Sequence, residues 1–156
     1  MRKIILLCCA VMFFFGCGVY MPSPVILPAH IKTISISRVL NRTPVFGLED
    51  NFDRRLRDEF IRDGRIAVSN DIDSDGSVDV TITRYILEPI SYDSNHIVEE
   101  YNMIVYCDVR FVDRVQNRVL WEEKNFEGRY RYFVQTRPGG LTEEDARTYV
   151  WDNLSR

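Results

Sequence analysis

The sequence predicts a two-layer α+β sandwich: a mixed four- to five-stranded sheet with two helices packed on one face. Three observations carry this. Apolar and polar residues alternate with period two in several separate segments. Two other segments repeat apolar residues at helical spacing. Their order is strand, helix, four strands, helix, which suits an open sheet covered on one side.

The first strand is IKTISISR, residues 31–38, with Ile34 and Ile36 on one face and serines on the other. Residues 41–44 read as a loop. A helix follows from Gly47, where Leu48, Phe52, Leu56 and Phe60 recur every fourth residue. Glu49, Asp50 and Asp53 stand near its start and arginines nearer its end, matching the helix dipole. Gly64 is suited to stop it. A short strand at 65–69 completes a strand–helix–strand unit, expected to be a parallel crossover.

Residues 77–90 alternate Val78, Val80, Ile82 and Ile86 against Asp79, Thr81 and Thr83. The next strand places Tyr101, Met103, Val105, Cys107, Val109 and Phe111 on one face. Asn102, Ile104, Tyr106, Asp108 and Arg110 take the other. After a turn near Gln116 and Asn117, a last strand is expected over residues 118–127. The tail LTEEDARTYVWDNLSR follows the turn Pro138, Gly139, Gly140. Thr142 is placed to cap a helix whose apolar stripe is Ala146, Tyr149, Val150 and Leu154. The sheet face away from the helices is expected to be the more polar one, open to a partner.

The first residues, MRKIILLCCAVMFFFGCG, have two basic residues and then an uncharged run at 4–15. That run is too short to span a bilayer, which takes about 20 apolar residues. It fits the three parts of a secretory signal. The Gly16-Cys17 junction resembles the lipobox of bacterial lipoproteins, with Phe14 where Leu is usual. The resemblance implies residues 1–16 as signal peptide, lipidation (palmitate included) at Cys17, and residues 17–29 as lipidated N-terminus and extended tether. The prolines of CGVYMPSPVILP favour an extended chain there. Residues 30–156 form the domain. Gly18 in place of Asp resembles an outer-membrane address.

Without residues 1–16 the chain has 18 basic and 23 acidic residues, a net charge of −5. This argues against nucleic acid as a partner. If Cys17 is acylated, Cys107 has no disulfide partner.

Chemistry-bearing patterns are sparse. Asp71, Asp73, Asp75 and Gly76 match the opening of a calcium loop, but the twelfth position is Ile82 where a bidentate Glu is needed. A polar turn before a strand accounts for them better. His30 and His96 stand alone and read as loop or surface residues. Cys107 alternates with Val105 and Val109, which places it in the core as a small hydrophobe. No pattern calls for a metal or cofactor, and none identifies an enzyme.

Several short stretches, in order and spacing, are similar to the lipopolysaccharide-assembly lipoprotein family, LptE. These are CGVY; LPAHIKTISISRVLNRTPVFGLEDNF with its Leu-Pro, Asn-x-Thr and Gly-Leu-Glu elements; and RLRDEFIRDGRIAV with Phe-x-x-Asp-Gly-Arg. The strands add Pro-x-Ser-Tyr-Asp, Val-x-Glu-Tyr and Val-Leu-Trp. The resemblance implies a lipid-anchored outer-membrane protein facing the periplasm. It would plug and help assemble an LptD-like β-barrel, supporting delivery of lipopolysaccharide to the surface. It also implies lipopolysaccharide as a ligand, and phosphates favour Arg and Lys donors. The candidates are Arg84, Arg110 and Lys124 on outward strand positions, with Arg129 and Arg131 beyond the last strand. The alternative reading is a periplasmic lipoprotein that scaffolds or activates another envelope machine, in cell-wall or transport work.

Overall fold

The structure is a computed structural model and describes residues 27–69 and 73–155. Cys17 and the signal and tether assignments up to residue 26 lie outside the described residues, as does Asp71.

β1 (Thr33–Ile36) buries Ile34 and Ile36 and pairs in parallel with two neighbours, β3 (Ala67–Val68) and β4 (Gly76–Tyr92). Between β1 and β3 runs α1 (Leu48–Asp63), so the predicted parallel crossover is present. β4 then meets β5 (Val98–Asp113), and β5 meets β6 (Arg118–Phe133), both antiparallel. The sheet order is β3-β1-β4-β5-β6. α2 (Glu143–Ser155) closes the described chain.

Among the described residues the sheet has six strands, against the four or five expected. The extra one is β2 (Leu40–Asn41), which overlaps the start of the segment read as a loop at Asn41. It continues the edge begun by β1, with Leu40 opposite Thr81 and Asn41 opposite Ile82. Two residues are too few to show alternation. Asn41 then turns the chain with its own side chain: its amide oxygen accepts from the Thr43 N–H at 2.9 Å, and its Nδ2 donates to the Val45 carbonyl at 2.7 Å.

α1 buries Leu48, Phe52 and Leu56, as the four-residue spacing requires. Each such burial contributes roughly 1.5–3 kcal/mol. Gly64 ends the helix at φ 65°, and its N–H returns to the Phe60 carbonyl at 3.2 Å. α2 begins with a reciprocal cap. Asp145 N–H donates to Thr142 Oγ1 at 3.1 Å, and the Thr142 hydroxyl donates to the Asp145 carboxylate at 2.6 Å. Its buried face is Ala146, Val150, Trp151 and Leu154. Tyr149, expected in that stripe, is 45% exposed and instead stacks on Tyr130 at 4.4 Å; Trp151 takes the core position.

Both helices pack on the face carrying Val80, Ile82, Met103, Val105 and Cys107, which is the core. The alternation of β4 is inverted partway along. Ile82 faces Cys107 but Arg84 faces Tyr106, so Thr83 is an extra residue, a β-bulge. Its hydroxyl donates to the Tyr106 carbonyl at 3.1 Å. Past it, Tyr85 and Leu87 turn to the core while Arg84 and Ile86 turn outward. Ile86 therefore lies on the opposite face from Val78, contrary to the unbroken alternation expected.

A second bulge lies in β6. Cys107 faces Phe126 and Val109 faces Glu123, so Lys124 and Asn125 together oppose Asp108. Asn125 takes φ 56°, which Asn tolerates, and its N–H donates to the Asp108 carboxylate at 3.0 Å. β6 runs to Phe133, six residues past the expected end, so Arg129 and Arg131 are inside the strand.

Candidate functional site: the helix-free sheet face

The register assembles the outward face in rows. Glu88, Asn102 and Arg131 form one; Ile86, Ile104 and Arg129 the next; then Arg84, Tyr106 and Glu127. Beyond the bulges, Asp79, Arg110 and Glu122 form another. Four of the five predicted cations thus share β4, β5 and the edge strand β6, each in a different row, and Lys124 sits at the β6 bulge.

Each is engaged. The Arg84 guanidinium lies over the Tyr106 ring at 3.9 Å and donates to Asn125 Oδ1 at 3.1 Å. Arg110 reaches Asp79 at 3.2 Å, Lys124 reaches Glu122 at 3.7 Å, and Arg131 reaches Glu100 at 3.7 Å. Arg129 pairs with Glu127. That pairing holds the Glu127 carboxyl below the usual range, with Arg84 adding to it. Among the described residues Arg84 is the one cation of the five without a direct carboxylate ion pair. The face is a mixed-sign, hydrogen-bonding surface interrupted by Ile86, Ile104 and Ile90, and not a bare basic patch. The exposed arms of these pairs contribute little to stability, about 0–1 kcal/mol each.

On the core face a polar cluster had no sequence signal. Tyr85, turned inward by the bulge, donates to Glu143 at 2.8 Å, and Arg147 Nε donates to the Tyr85 oxygen at 3.2 Å. Burial pushes the Tyr85 hydroxyl up, so it stays protonated at neutral pH. The cluster ties α2 to β4. The sequence spacing of Glu143 and Arg147 is a helical i,i+4 pair, but their link to Tyr85 depends on the bulge.

The acidic turn and the lone groups have structural roles. Asp75 accepts from the Lys32 N–H, the Thr33 N–H and the Thr33 hydroxyl, each at 2.9 Å, stitching β1 to the start of β4. These donors hold its carboxyl below the usual range. His30, read as a loop residue, has a partner in the fully buried Asp113, with Nε2 2.9 Å from Oδ2. Burial alone would raise the Asp113 pKa, but the Gln116 N–H and His30 outweigh it and the carboxyl is lowered. Burial pushes the Cys107 thiol up to about 12, and a thiol held protonated is a poor nucleophile.

The opposite end of the core holds an apolar pocket of about 440 Å³ between the helices and the sheet. Its lining includes Ile34, Phe52, Val80, Val109, Phe126 and Trp121. No helix among the described residues is long and apolar enough to cross a membrane.

Fold and face together define a class: a two-layer α+β domain with helices on one side and, among the described residues, a charged sheet surface that no helix covers on the other. The sequence model of a family described as "LptE: Lipopolysaccharide-assembly" matches residues 31–154. The chain belongs to the LptE family, and its work lies in lipopolysaccharide assembly. Two solved structures share the fold at low identity, and a third is a weaker likeness. The PelC L103M dodecamer from Paraburkholderia phytofirmans is 10% identical, with 80% of this chain and 86% of that chain covered and a TM-score of 0.51. Protein XCC0632 from Xanthomonas campestris is 13% identical, with 83% and 82% covered and a TM-score of 0.50. Lipoprotein GNA1162 from Neisseria meningitidis is 12% identical, with 78% and 94% covered and a TM-score of 0.49. No match is found among curated protein sequences.

Proposed function

We propose that this protein is an outer-membrane lipoprotein, acylated on Cys17, whose domain of residues 30–156 plugs an LptD-like β-barrel from the periplasmic side. There it helps the barrel assemble and supports delivery of lipopolysaccharide to the surface. Residues 17–29 serve as the tether, and no catalysis is involved. The family supports the setting. The observation that carries the plug reading is the helix-free sheet face. Lumen-facing residues of membrane barrels are polar, and a plug needs a surface that exchanges hydrogen bonds with such a wall. Rows of alternating charge with few apolar breaks supply that. The net charge of −5 of the chain without residues 1–16, together with the mixed signs of these rows, also disfavours non-specific contact with anionic lipid over this whole face.

Arg84, Arg110, Lys124, Arg129 and Arg131 are the proposed contacts for lipopolysaccharide phosphates. Arg84 is the best placed of them, because a phosphate there displaces no carboxylate. The test is a photoreactive amino acid at Ile104, in the middle of the face, in the full-length protein in cells. Crosslinks to an outer-membrane barrel are expected. Crosslinks confined to inner-membrane or peptidoglycan-bound proteins would overturn the plug and favour a scaffold of another machine.

A further inference from the structure

Four features meet at one end of the domain. Leu27, the first described residue, lines the apolar pocket. The β5–β6 turn lies at the same end, because His30 bonds Asp113 just before it. α1 and α2 both finish there, since Phe60, Ile66, Leu154 and Ser155 share the pocket lining. Exposed apolar side chains stand on the elements that reach this end: Val115 at 64%, Val119 at 49%, Trp121 at 39% and Ile61 at 65%. Arg114 and Arg118 flank the turn.

The pocket itself is apolar throughout its depth. Ile34, Phe52 and Val80 are buried at its floor, while Leu27, Trp121 and Ser155 are only partly covered and mark its mouth. Its volume of about 440 Å³ holds roughly fifteen groups of water or methylene size at about 30 Å³ each. An apolar space of that size gains most from an apolar chain.

The chain preceding Leu27 says which apolar chain is within reach. Cys17 is ten residues upstream, and ten residues span at most about 33–36 Å. With Cys17 in a bilayer, the pocket mouth is within that distance of the bilayer and free to meet it. Trp and flanking arginines around an apolar collar are the side chains that settle at a membrane interface. A folded-back anchor would fill the pocket but would leave the collar in water.

We infer that this end of the domain, left at the periplasmic mouth of the barrel, meets the inner leaflet of the bilayer and that the pocket between α1, α2 and the sheet takes up one acyl chain of a bilayer phospholipid. The inference shares the acylated Cys17 with the proposed function, and its test does not require the barrel.

The experiment reconstitutes the full-length processed protein in nanodiscs of phosphatidylethanolamine and phosphatidylglycerol. A fraction of the phosphatidylethanolamine carries a diazirine near the end of one acyl chain. After irradiation, adducts are mapped by mass spectrometry. Adducts on Phe60, Val109, Trp121 or Leu154 are expected at least fivefold above those on Ile86 and Ile104 of the far face. Val109→Phe, which narrows the pocket, is expected to cut them at least threefold. Equal labelling of the two faces overturns the inference with the wild-type protein alone, so it does not hang on the variant folding. Pocket adducts that appear only in Cys17→Ser protein would give the pocket to the protein's own anchor, and protection by lipopolysaccharide at a level equal to the probe would give it to that lipid. Either result overturns the inference. The intact mass of the same sample reports separately whether Cys17 carries acyl chains.

Discussion

Phe52 of α1 and Trp151 of α2 stack with ring centroids 4.9 Å apart and planes 18° from parallel. This pair holds the two helices together as one layer, beside the Arg55–Asp152 ion pair between the same helices. Removing it opens a cavity that neither helix can close alone. Trp151→Ala is expected to destabilise the domain by about 3–5 kcal/mol, as read from urea denaturation. Trp151→Phe keeps the stack and should cost less than half as much.

Gly128 sits where β6 passes under α2. A Cβ there would lie 2.5 Å from Leu154 Cγ. Gly128→Ala is expected to cost about 1–3 kcal/mol through overpacking. In the Gly128→Ala, Leu154→Ala double variant the two costs should be clearly less than additive, since the clash disappears with the Leu154 side chain. Additive losses in a double-mutant cycle would show that the contact is not limiting.

Asp75 and Asp113 both have folded-state pKa values below the ordinary carboxylate value. The unfolded chain therefore binds more protons in the acid window, and stability rises with pH there. Their contribution is complete above the ordinary value of about 3.9 and is lost as pH falls through the folded values. Denaturation midpoints should be flat near neutrality and drop steeply below about pH 4. Asp75→Asn should lower the midpoint at pH 7 and flatten that acid drop.

For lipopolysaccharide, Arg84→Glu should weaken binding by the full-length protein about tenfold, in keeping with roughly 1.5–3 kcal/mol for a charge-assisted hydrogen bond. Arg110→Glu should do less, because Asp79 already engages that side chain. An unchanged affinity for Arg84→Glu removes it from the site.

Most of the architecture was legible in the sequence because it rests on local periodicity. The Leu48, Phe52, Leu56 spacing, the Met103, Val105, Cys107 alternation and the Thr142 cap each declare themselves within a few residues. What was hidden depends on pairing between strands. Thr83 looks like any outward strand residue, yet as a bulge it decides that Tyr85 faces α2 and Ile86 faces out. Leu40 and Asn41 pair only because β4 runs on past β1. The partners of Arg84, Arg110 and Arg131 came from register in the same way, whereas Glu122 and Glu127 stand two residues from Lys124 and Arg129 in the same strand. The His30–Asp113 contact spans 83 residues and has no local trace.

The central claim is that the domain works by fitting inside a larger membrane protein. The direct measurement is native mass spectrometry of the full-length tagged protein purified from detergent-solubilised outer membranes. The account predicts a one-to-one complex with a large β-barrel, with acyl mass on the small subunit. An unacylated protein recovered alone from the soluble periplasm would contradict it.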